Sequence, residues 1–113
     1  MKNKSKLDEI KNNFMLFTDP MDIISQLVDI GKKCFIGHGV MFINDLFTNG
    51  GPAQGDKSLW KRTKIGNNVS IGSNSTILPV DICDNVVIGA GSVVTKNINQ
   101  EGIYAGNPAQ RLK

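Results

Sequence analysis

An amide and a carboxylate stand side by side at Asn44-Asp45, where the apolar run FIGHGVMFINDLF (35–47) gives way to the glycine-rich stretch FTNGGPAQGDKSLWKR. Such a pair can do two kinds of work. Asn and Asp can turn the chain outward by bonding to nearby backbone groups. They can also hold a polar ligand, the amide donating and accepting while the carboxylate accepts or takes up a proton. On the pair alone, the turn is the simpler reading. The chain's one histidine, His38 in the unit IGHGVM, is the residue type most often used as a general base. The pattern sets it at a corner facing away from the interior, where a solvated or interface role is the simpler reading. Cys34 and Cys83 match no disulfide or metal spacing, and with a single histidine they cannot supply the converging ligands that zinc requires, so no metal is expected.

The elements that position these residues follow from a repeat. From Ile65 the chain reads IGNNVS, IGSNST, ILPVD, ICDNVV, IGAGSV, VTKNIN, opened by Ile65, Ile71, Ile77, Ile82, Ile88 and Val94. Upstream, Ile24, Ile30, Ile36 and Phe42 open units on the same spacing of six. A helix would carry such residues around its circumference, and a simple strand needs no glycine after nearly every one. Short strands joined by sharp corners at Gly or Asn satisfy the pattern, because both residue types tolerate positive φ. Three units make one coil, and stacked coils bury a column of Ile and Val. A small β-sandwich is the alternative, but its turns recur less regularly and nearer every ten residues.

The repeat is broken twice. Ile77 to Ile82 is five residues instead of six, which predicts a tightened corner or a local displacement of the coil. Between Phe42 and Ile65 the pattern stops, so a loop at 46–62 must project from the wall, and loops of this length are usually functional or disordered. Residues 1–23 do not repeat. Asp19-Pro20 suits a helix start and Leu7, Ile10 and Phe14 could share a helical face, which predicts a helical or irregular cap over the open end of the column. At 113 residues the chain reads as one domain with a modest core. Its Lys and Arg, net charge +3, are dispersed except at the two ends, so no nucleic-acid partner is expected. No apolar run approaches the roughly 20 residues of a membrane span, and MKNKSKLDEIKNN lacks the apolar core of a signal peptide. A cytoplasmic setting is expected.

The tandem units IGNNVSIGSNSTI and VVIGAGSVV, followed by YAGNPAQRLK, resemble the hexapeptide-repeat acyltransferases over about residues 24–113. That resemblance implies an all-β, left-handed parallel β-helix with a short N-terminal cap (1–23), one long projecting loop and a closing segment at 95–113. It also implies a homotrimer with active sites between subunits and acetyl-CoA as co-substrate. FINDLF resembles the F-x-N-D segment of those members that acylate the amine of a nucleotide-linked amino sugar. Carried over, Asn44 would bond the hexose, Asp45 would hold the reacting amine, and Trp60, at the loop base, would pack the loop or stack on sugar. IGAGSVVTK matches the acyl-donor groove, with Gly89, Ala90 and Gly91 offering backbone contacts and Lys96, Arg111 and Lys113 as candidates for the nucleotide phosphates.

The chemistry favours an amine acceptor. A hydroxyl is a poor nucleophile that needs a general base within reach, whereas an amine attacks once it has shed one proton, which a nearby carboxylate can accept. The oxyanion needs N–H donors, and corner glycines expose them. The expected activity is therefore N-acetyl transfer to a nucleotide-activated amino-deoxy sugar. Its rivals are O-acetyl transfer with His38 as base and a catalytically silent scaffold.

Overall fold

The structure is a computed structural model that describes residues 28–53 and 61–113 together with the backbone of 14–16. The described residues form twelve short strands: β1 Phe14–Leu16, β2 Val28–Ile30, β3 Cys34–Ile36, β4 Met41–Phe42, β5 Thr63–Ile65, β6 Ser70–Ile71, β7 Thr76–Ile77, β8 Asp81–Ile82, β9 Val86–Ile88, β10 Val93–Val94, β11 Gly102–Ala105 and β12 Gln110–Arg111. They form three sheets, the first in the order β1-β3-β6-β9-β11-β12, the second β2-β5-β8 and the third β4-β7-β10. Every pairing is parallel except β11 with β12. One coil visits the second, first and third sheets in turn and then repeats. The described residues contain no helix.

The register explains the period of six. Ile30 pairs with Ile65 and Ile65 with Ile82; Ile36 with Ile71 and Ile71 with Ile88; Phe42 with Ile77 and Ile77 with Val94. Each sheet thus stacks its own aliphatic file, and the three files fill one interior. Ile36, Ile71 and Ile77 are fully buried, and Ile65, Ile82, Ile88 and Val94 nearly so. Ile24, assigned from the sequence to the same file, lies outside the described residues. So does most of the expected cap; within it, Phe14 lies in a strand paired with β3, not on a helix.

Counting the aliphatic residue as the first of its unit, the fourth residue turns the corner in the left-handed region. It is Lys33 (φ 58°), Gly39 (72°), Asn68 (56°), Asn74 (61°), Asn85 (62°) or Gly91 (70°). Only glycine adopts this conformation freely, and Asn does so better than other side chains. Replacing Asn74 by Ala should therefore cost about 1 kcal/mol, while Asn74→Gly should be near neutral, as read by thermal or urea unfolding. The five-residue unit omits this residue: Leu78-Pro79-Val80 makes the corner with no left-handed position, and Val80 is buried. Because Ile65 still pairs with Ile82 and Ile77 with Val94, the corner is tightened and the coil is not displaced.

Glycine at the second position has a different cause. A Cβ on Gly72 would meet Ala90 Cα at 2.7 Å and Gly89 C at 2.9 Å, so the coils stack backbone on backbone at that corner. At the C-terminal end the chain turns back. Tyr104 is buried with its hydroxyl donating to Gln100 O (2.7 Å), Ala109 packs against the core, and β12 adds an antiparallel edge to the first sheet.

Candidate functional site

The long loop leaves the wall after β4, and its base is tied. Lys61 N–H donates to Asn44 O (2.9 Å), joining the outgoing and returning strands of the loop. Asp45 holds the outgoing limb: its Oδ1 accepts from Phe47 N–H (3.0 Å) and its Oδ2 from Ala53 N–H (2.6 Å). The first bond is an Asx turn and sets Phe47 in the left-handed region (φ 53°), followed by a turn closed by Gly50 N–H to Phe47 O (2.8 Å). The Asp45 carboxylate therefore turns the chain, and it does so while half-buried and fixed in orientation. An ionised carboxylate has about four acceptor sites, so two bonds leave it able to take another donor. Trp60 lies outside the described residues.

His38 and Asn44-Asp45 flank the same strand, β4, from opposite ends. His38 is exposed at the edge joining the first and third sheets, whereas the loop base lies at the edge joining the third and second. Gly89-Ala90-Gly91 occupies the same edge as His38, two coils away. The intervening corner, Gly72-Ser73-Asn74, is tied to both by Asn74 N–H to His38 O and Gly91 N–H to Ser73 O, each 2.8 Å. A Cβ built on Gly91 would meet nothing within 4 Å, so this corner opens outward onto free space.

Of the three cations expected to meet the nucleotide phosphates, Lys96 follows β10 as Gly89–Gly91 precede it, so both border one strand. Arg111 does not join them: its Nη2 donates to Glu101 O (3.2 Å), at the edge between the second and first sheets. Lys113 is exposed at the end of the chain, its carbonyl accepting from Ile103 N–H (2.8 Å). Within one chain the cations do not converge. An open groove of about 500 Å³ on the second sheet, bordered by Lys64, Asp81, Asp84 and Glu101, contains none of these candidates.

Two polar residues of this edge escape a reading by motif. Ser75 and Ser92 stand at the fifth position of their units, where other units carry Cys34, Val40, Val69 and Val86, and both are fully buried. Their hydroxyls donate to the same carbonyl, Gly89 O, at 3.1 and 2.6 Å. The signal was a polar residue in a file otherwise apolar. Cys34 at that position is inert packing: its thiol lies 3.2 Å from Gly66 O, and burial pushes its pKa up. Among the described residues, no group of three or more His, Cys, Asp or Glu could hold a metal ion, and no helix is long and apolar enough to cross a membrane.

Comparison with known proteins agrees with this architecture. Residues 62–96 match the family described as the hexapeptide repeat of succinyl-transferase. A probable macrolide acetyltransferase from Lysinibacillus sphaericus is 35% identical, the match covering 81% of this chain and 62% of the relative. The crystal structure of a maltose O-acetyltransferase from Clostridium difficile 630 is 38% identical at a TM-score of 0.65, covering 76% of this chain and 47% of that one. A mutant of AntD, an N-acyltransferase from Bacillus cereus in complex with dTDP-4-amino-4,6-dideoxyglucose and coenzyme A, is 26% identical at a TM-score of 0.50, covering 76% and 62%. The chain thus spans about half to two thirds of the length of these relatives. In its stacked six-residue units, its corner chemistry and these likenesses, the chain is similar to the hexapeptide-repeat acyltransferases, whose repeat it carries over residues 62–96.

Proposed function

We propose that the protein transfers an acetyl group from acetyl-CoA to the amine of a nucleotide-activated amino-deoxy sugar. The observation that carries this reading is the Asp45 carboxylate, fixed beside Asn44 at the loop base with acceptor capacity to spare. A protonated amine docked there donates to Asp45 and gives it one proton; the free base attacks the thioester carbonyl, the C–S bond breaks as the C–N bond forms, and the departing CoA thiolate takes up the second amine proton. His38 stands at the other end of β4, so an acceptor seated at the loop base of one chain has a carboxylate, not an imidazole, as its neighbour. AntD, with its amino-sugar ligand and coenzyme A, supports the same acceptor class.

The acyl donor would lie against β10, with Gly89–Gly91 at one end and Lys96 at the other. The outward faces support a homotrimer with the site between subunits. The first sheet presents Phe35, Val87 and the half-buried Ile103, and the third presents Met41, whereas the second presents Asp29, Lys64 and Asp81. Packing the first and third sheets against another copy buries apolar area and brings further groups, Arg111 and Lys113 among them, to the donor groove. Left-handed winding of the coil belongs to the same reading.

A second reading has its own support: the maltose O-acetyltransferase is more similar in sequence than AntD, and hydroxyl acceptors would call on His38. A panel of nucleotide amino sugars and neutral sugars with acetyl-CoA separates the two. Amine acceptors should be turned over faster, with His38→Ala lowering kcat/KM less than about tenfold. Preference for hydroxyls, with a loss in His38→Ala of the 10²–10⁴ order expected of a general base, would establish the O-transfer reading instead.

A further inference from the structure

Resting on the reading of the chain as an acyltransferase that uses acetyl-CoA, we propose that Ser75 and Ser92 are positioning residues. They lock the Gly89–Ala90 peptide so that the Ala90 N–H faces outward as a fixed donor to a carbonyl oxygen of the acyl donor. The fifth position of the repeat faces the interior and is Val in three units, so the column itself has no need of a hydroxyl there. A buried hydroxyl costs free energy unless it is bonded, and these two are bonded to one acceptor, the carbonyl of Gly89, from the coil above (Ser75) and from the same coil (Ser92). Further bonds tie them to the frame: Ser92 N–H donates to Ser75 Oγ and Gly106 N–H to Ser92 Oγ, each at 3.3 Å.

Both hydroxyls are fully buried, so the Gly89 carbonyl points into the column. In a planar trans peptide the C=O and the following N–H point in opposite directions. The Ala90 N–H is therefore aimed out of the corner, and no described residue accepts it. Gly72 lies flat against the same peptide from the coil above, too close for any side chain, which leaves the plane little freedom to tilt. Outside, Ala90 and Gly91 are exposed and the space beyond Gly91 is open. A donor held in place before its acceptor arrives costs no ordering on binding, and acyl-CoA carries carbonyl oxygens along an extended arm that can meet it.

The test uses a pair of variants alike in shape. Ser92→Val installs the residue the repeat carries elsewhere and removes the hydroxyl; Ser92→Thr keeps it. By calorimetry, Ser92→Val should bind CoA about fivefold to tenfold more weakly, the size of one positioned hydrogen bond, with KM for acetyl-CoA rising in parallel. The melting temperature should not fall and KM for the acceptor should not rise in step, and Ser92→Thr should behave as wild type. Ser75→Ala gives a second route to the same loss should Ser92→Val not fold. Wild-type affinity for CoA in Ser92→Val or in a folded Ser75→Ala, or equal weakening in the Val and Thr variants, overturns the positioning role and leaves the acyltransferase reading standing. A wild-type chain that gives no binding heat with CoA overturns that reading and this inference with it.

Discussion

Asp45→Ala should lower kcat/KM for an amino-sugar acceptor by at least about 100-fold, the lower end of what a positioned proton acceptor contributes. Two losses are folded into that number, since the same carboxylate holds Phe47 and Ala53 at the loop base. Asp45→Asn separates them. The amide oxygen can still accept one of the two N–H groups, but the nitrogen cannot accept the other and the group takes no proton. If the carboxylate serves as proton acceptor, the deficit of Asp45→Asn should narrow as pH rises, because the buffer then deprotonates the amine and the protein no longer has to. A deficit that stays constant with pH, together with faster proteolysis within the loop, would reduce Asp45 to a loop fastening. Affinity for CoA, which the proposed donor site places on other corners, should be unchanged in both variants.

The two roles weighed for Asp45 mark what the sequence could and could not tell. The six-residue period was legible because each coil repeats the same demand: one side chain for the file and one left-handed residue for the corner. Lys33 met the corner demand without looking like a corner residue, being neither Gly nor Asn. The loop was legible as an interruption, yet nothing in FINDLF says that Asp45 reaches Ala53, eight residues on, because that bond depends on how the loop folds back. Which candidates share an edge was also hidden. Arg111 was grouped with Lys96 by the resemblance and its charge, but the chain turns back after β11, so within one chain its side chain bonds at another edge. Ser75 and Ser92 read as small residues in a permissive motif, and only their shared acceptor gives them a task.

The stacked files themselves make the largest stability prediction. Ile71 is fully buried in the middle of its file, with Ile36 paired on one side and Ile88 on the other, so neither neighbour can close the gap without breaking its own register. Ile71→Ala should cost about 3–4 kcal/mol, transfer and cavity together. At this chain length that lowers the melting temperature by more than about 10 °C. Val87, one step before Ile88 on β9, faces outward and is 44% exposed, so Val87→Ala should cost less than about 1 kcal/mol in the isolated chain. The contrast is the test of the column: if the two substitutions destabilise the chain equally, the aliphatic residues do not form one interior. The placement of the loop base and the proposed acyl-donor corner on its edges would then lose its frame. If Val87→Ala is instead costly only at concentrations where copies associate, the first sheet's outer face is the contact between subunits.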